Sequence, residues 1–192
     1  ASRQGCPCRS PVPRRRGLLG LQSNGPARIE VEETPVRQDV QVFDDSGAFL
    51  LRWGTRGVGD GEFLSPHGLA TDGEGNVVVA DTGNHRLQKF APDGTFLATW
   101  GGMGTDPGLF REPDDIAIDA KGRMFVTDTM NNRVQILDSD GQFLAEWGTR
   151  GTEPGEMEAP TGIAVDDAGN VYVAEGVNKR VQKFRLLPPF GT

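Results

Sequence analysis

The sequence predicts an all-β protein, a β-propeller of four-stranded antiparallel blades, and three observations predict it. Trp53, Trp100 and Trp147 stand 47 residues apart, as do Pro66, Pro113 and Pro160, Gly75, Gly122 and Gly169, and Arg86, Arg133 and Arg180. Each 47-residue unit parses into four short strands separated by turn signals, which fits a propeller blade of ~40–50 residues. No segment carries a helical period of apolar residues.

The strands follow from the residues in order. In the unit 65–111 the first strand runs from Gly68 to Asp72 and ends at a turn of Glu74-Gly75-Asn76. The apolar run Val77-Val78-Val79-Ala80 comes next. Such a run suits a strand covered on both faces, as between neighbouring blades. A third strand, Arg86 to Phe90, leads into the turn Pro92-Asp93-Gly94. The fourth, Thr95 to Trp100, alternates, with Phe96, Ala98 and Trp100 on one face.

The register holds without a gap from Val40 onward. It divides the chain into a basic tail (1–17), a degraded first blade (18–64), two full units (65–111 and 112–158) and a shortened last one (159–192). In the degraded blade, Ile29-Glu30-Val31 stands for Val77-Val78-Val79, and Glu33 falls where Asp81 falls. The last unit stops without the G-x-F-L-x-x-W strand. The expectation is about four blades, an arc or a piece of a larger ring, because an open edge invites pairing with another chain or with further blades. Residues 1–16 hold three prolines and five arginines and are expected to lack regular structure.

The repeated strings resemble the NHL-repeat family. They are Pro160 to Asp166, Gly169 to Glu175, Asn178 to Phe184, and Asp140 to Gly148. The resemblance covers 40–185 well and 20–39 loosely. It implies blades of a six-bladed propeller and a role as an interaction domain. It also implies distant similarity to propeller lyases and lactonases, among them the peptidyl-hydroxyglycine amidating lyases, which hold a metal through a Pro-His motif at the blade entry.

Composition narrows the function classes. The net charge is −7, and the five arginines of 1–16 leave −12 on the rest. A body that acidic repels a phosphate backbone, so no nucleic-acid partner is expected, although RNA recognition occurs in the family. No apolar run approaches the ~20 residues that span a bilayer. Cys6 and Cys8 lie in the basic tail and form neither a zinc set nor a disulfide framework. An extracellular or periplasmic setting is favoured over a cytoplasmic one.

Three sets of residues carry candidate chemistry. The pairs Asp81/Arg86, Asp128/Arg133 and Glu175/Arg180 recur in every unit and read as structural ion pairs, since a device copied in each blade braces the fold. The Trp ladder reads the same way, each indole sealing the outer strand of its blade. The Gly-rich stretches 101–104 and 148–151 read as flexible connectors. His67 stands apart, because it follows Pro66 at the entry of an innermost strand and its counterparts are Asp114 and Thr161. A neutral imidazole and a carboxylate are metal ligands, and the resemblance places a metal at this Pro-His position. His67 and Asp114 are therefore the candidate metal ligands, for a divalent ion such as zinc or calcium. The leading expectation is a scaffold that binds a protein or small ligand on a propeller face, with no cofactor and no evident catalysis. The alternative is a metal-dependent lyase or hydrolase with its site in the central channel.

Overall fold

The computed structural model describes residues 38–186 in full and the backbone of 27–33. The strands are β1 (Ala27–Glu33), β2 (Gln38–Asp44), β3 (Phe49–Trp53), β4 (Thr55–Arg56), β5 (Glu62–Phe63), β6 (Pro66–Thr71), β7 (Val77–Asp81), β8 (Arg86–Phe90) and β9 (Phe96–Gly101). They continue as β10 (Pro113–Ile118), β11 (Met124–Asp128), β12 (Arg133–Leu137), β13 (Phe143–Trp147), β14 (Pro160–Val165), β15 (Asn170–Glu175) and β16 (Arg180–Arg185). Two 3-10 turns, 82–84 and 129–131, are the helical elements among the described residues.

Four antiparallel sheets form in chain order: β1-β2-β3, β6-β7-β8-β9, β10-β11-β12-β13 and β14-β15-β16. We call them blades I to IV. The turns expected at Gly75, Gly122 and Gly169 are present, each glycine N–H donating to the carbonyl of the Asp three residues back at 2.9–3.0 Å. The basic tail and its cysteines lie outside the described residues. One register differs from expectation. Glu32, not Glu33, pairs with Asp39, the counterpart of Arg86, while Glu33 pairs with Gln38. The connections from β1 to β2 and from β7 to β8 are both four residues long, but β2 begins one residue before the offset of Arg86, and β1 is displaced with it.

The core lies between the blades. β7 and β11 are buried along their whole length, and because side chains alternate across a strand, each strand feeds two cores. Val77 and Val79 face blade I with Val40, Phe63 and Phe90. Val78 and Ala80 face blade III with Leu87, Phe110, Ile116, Met124, Val126 and Leu137. Phe125 and Val134 face blade IV with Met157, Ile163, Val171 and Val173.

The indoles do more than seal their own outer strands. Trp53 of blade I packs on Phe90 of blade II with ring centroids 5.8 Å apart, and Trp147 of blade III packs on Phe184 of blade IV at 5.5 Å. Trp100 lies under the turn at Gly141, where a Cβ would come within 2.1 Å of the ring. Each Trp thus locks its blade to the next.

The connectors are not the flexible links expected from their glycines. Arg56 pairs with Phe63, Met103 with Phe110 and Arg150 with Met157, each in parallel and 47 residues from the last. Phe63, Phe110 and Met157 are fully buried between the blades they join. A connector whose one large apolar side chain is a core residue cannot swing free without exposing it.

Candidate functional site

The polar residues of the N-x-R-x-Q string hold these connectors. In blade III, Arg133 Nε donates to Asp128 Oδ2 at 2.7 Å, and its Nη atoms donate to the carbonyls of Thr105 and Leu109 at 2.8 and 2.9 Å. Asn131 Nδ2 donates to Gly104 O, and Gln135 Nε2 to Leu109 O. Asp128 Oδ1 accepts from the Arg111 amide at 2.7 Å. Blade II repeats the set through Asp81, Asn84, Arg86 and Gln88, and blade IV through Glu175, Asn178, Arg180 and Gln182. The carboxylates of Asp81 and Asp128 are wholly buried and Glu175 nearly so. Burial by itself would raise the Glu175 carboxyl, but the Arg180 guanidinium, the Glu158 amide, Asn178 and Gln182 outweigh it and hold the group below its ordinary value. All three ion pairs are engaged with connector backbone from the preceding blade.

These bonds also define one end of the blades. The inner strands β6, β10 and β14 begin there, and the 3-10 turns and connectors gather around them. Thr82 Oγ1 donates to Pro113 O at 2.6 Å, and Thr129 Oγ1 to Pro160 O at 2.7 Å. The sequence-predicted residues His67 and Asp114 meet at this entry. His67 Nδ1 and Asp114 Oδ1 are in contact across the junction of β6 and β10. Thr161, the third counterpart, is exposed on β14 and is not part of that pair.

Asp115, which the sequence reading passed over, is the further polar group here. Its Oδ2 accepts from the Ile163 amide on β14 at 3.0 Å, and its Oδ1 from the amide of Ile116. It occupies the offset where blades II and IV carry Gly68 and Gly162. The reason is spatial: a Cβ on Gly68 would lie 2.5 Å from Asp115 Oδ1 and 2.7 Å from the Asp114 carbonyl. Burial raises the Asp115 carboxyl. The amides of Ile163 and Ile116 oppose the shift in part, and the nearby Asp114 charge adds to it. The departure from the repeat at this one offset was the available signal. His85, at the end of the 3-10 turn 82–84, is half-buried, and its Nδ1 accepts from the Glu112 amide.

Among the described residues no group of three or more His, Cys, Asp or Glu is arranged to hold a metal ion. His67 and Asp114 supply two donors of suitable type, which fits a ligand pair but not a full set. Several exposed apolar side chains ring the same end: Val58 and Met103 on the connectors, Met130 and Val177 on the turns. No helix among the described residues is long and apolar enough to cross a membrane.

The chain matches the NHL repeat over residues 63–90 and a 6-bladed β-propeller family over 104–187. It is 35% identical over 86 residues to human NHL repeat-containing protein 3, a stretch covering 38% of this chain and 24% of that relative. A protein of unknown function from Bacteroides thetaiotaomicron superposes with TM-score 0.64 at 17% identity, over 82% of this chain and 44% of that one. Virginiamycin B lyase from Staphylococcus aureus superposes with TM-score 0.53 at 14% identity, over 79% of this chain and 50% of that one. The chain thus spans about a quarter of the curated relative and half or less of these solved structures. In sequence this chain is similar to NHL-repeat proteins, and in fold it is a β-propeller of antiparallel blades.

Proposed function

We propose that the chain is a binding scaffold that takes a protein partner on the face where the inner strands begin. The observation that carries this reading is the division of labour among polar residues. Side chains copied in every blade are engaged with the connectors, whereas His67, Asp114 and Asp115 differ from their counterparts and collect at one place. A unique constellation at a symmetric position is what a site on a repeat scaffold requires. The apolar rim of Val58, Met103, Met130 and Val177 supports a protein over a small polar ligand, since exposed apolar side chains rimmed by charge mark interaction surfaces. The test is a photo-reactive residue placed at Met130 or at Asp45, in the β2–β3 turn at the opposite end. A partner should cross-link from 130 and not from 45. Cross-linking from 45 alone would place the binding face elsewhere.

The contact of His67 with Asp114 favours a second reading, in which the pair contributes two ligands to a divalent metal of a lyase-like or hydrolase-like site. The ion would act as a Lewis acid; the residues here would hold and orient it. Metal analysis decides between them. Stoichiometric metal in the wild type that is lost in His67→Ala supports the second reading, and absence of metal from the full-length protein removes it.

A further inference from the structure

The three described blade junctions share one latch, and one of them is built differently. The residue before each blade-opening proline has a left-handed backbone: Ser65 at φ 48°, Glu112 at 53° and Ala159 at 47°. For residues with a side chain this conformation is unfavourable and persists only where the surroundings hold it. What holds it is a side chain from the preceding blade. The Ser65 amide donates to Gln38 Oε1 at 2.9 Å, the Glu112 amide to His85 Nδ1 at 3.0 Å, and the Ala159 amide to Asn132 Oδ1 at 3.1 Å. Gln38, His85 and Asn132 occupy one offset of the repeat.

Two of these acceptors are amides, whose accepting oxygen does not change with pH. The third is an imidazole nitrogen. With Nδ1 accepting, the ring is neutral and carries its proton on Nε2. A protonated imidazole donates from both nitrogens and accepts from neither, so no ring flip can restore the bond. Imidazole is the side chain whose charge ordinarily changes between about pH 5 and 8.

We propose that His85 makes the junction of blades II and III a pH-sensitive latch, closed when the ring is neutral and released on protonation, while the junctions at Ser65 and Ala159 are indifferent to pH. The sign follows from the accepting role. The closed junction requires the unprotonated ring, so its stability is full at higher pH and is lost as pH falls. The charged groups around the junction are Arg86 on β8, held by Asp81, Arg111 and Glu112 on the connector, and His67, Asp114 and Asp115 on the inner strands. Asp128 approaches from blade III through its bond to the Arg111 amide. The Arg111 amide and the Pro113 carbonyl on either side keep their bonds to Asp128 and Thr82, so release is confined to the Glu112 turn. The latch does not depend on the binding reading above and is tested without any partner.

The experiment is amide hydrogen exchange of the full chain followed residue by residue from pH 8 to pH 5, corrected for intrinsic exchange. Protection of the Glu112 amide should fall about tenfold toward pH 5, the loss of one hydrogen bond, while Ser65 and Ala159 hold constant. His85→Asn, the residue blade III uses, should make Glu112 behave like Ala159, and His85→Gln, the residue blade I uses, should do the same. A parallel response of all three amides in the wild type overturns the proposal, as does a pH dependence at Glu112 that survives both substitutions.

Discussion

Asp115 shows how one side chain can depart from a repeat and be accommodated by it. Its carboxylate fills the space that Gly68 leaves open and reaches the Ile163 amide on the next inner strand. Because its carboxyl is raised by burial, the folded state binds the proton more tightly than the unfolded chain does. The contribution of this group to stability is therefore present at low pH. It is lost as pH rises through the interval from the ordinary carboxyl value to the raised one. Asp115→Asn removes that titration while keeping an oxygen to accept from Ile163. Urea unfolding of the two proteins from pH 3 to pH 7 should show the variant gaining on the wild type as pH rises; a constant difference would mean that the carboxyl is unperturbed. The identities of His67 and Asp114 as a pair were legible in the sequence because equal offsets in adjacent blades lie at equal radius. Asp115 was not, since an Asp after an Asp looks like a solvated doublet until Gly68 is seen packed against it.

At the scale of the element, the connectors carry the part of the fold that the sequence hid. Strands and turns were readable because apolar alternation and Asp-Gly signals are local. The connectors misled because their glycines suggest freedom, whereas the bonds that fix them come from Asn131, Arg133 and Gln135, some 24 to 28 residues away. Arg133 also reaches Glu146 Oε2 on β13 at 2.7 Å, tying the connector to the third and fourth strands of its blade. Arg133→Ala strands the buried Asp128 carboxylate and should lower unfolding stability by about 1–3 kcal/mol. A neutral effect in denaturant titration would show that the network is dispensable. Phe110, fully buried between blades II and III, should cost about 3–5 kcal/mol as Phe110→Ala, since the cavity sits where two blades meet. Retention of wild-type stability there would place the blade junction's strength elsewhere.

Across the whole molecule, the proposed scaffold role divides stability from binding by symmetry. The residues that repeat every 47 positions, the indoles, the ion pairs and the connector plugs, join each blade to the next in the manner of a repeat protein, whose interfaces carry much of its stability. His67, Asp114 and Asp115, which do not repeat, lie where the inner strands begin. The relatives are matched over only part of their lengths, so the reading rests on this internal contrast. The most direct test compares Asp114→Ala with the wild type in two readouts, the denaturation midpoint and the yield of partner cross-linked from position 130. His67 and Asp114 are not in the core, and exposed ion pairs contribute little to stability. Unfolding stability should stay within about 0.5 kcal/mol of the wild type, and the cross-linking yield should fall about tenfold, the loss of roughly 1.4 kcal/mol of binding. An undiminished yield, or a yield that falls only in step with the folded fraction, would contradict the proposed scaffold role.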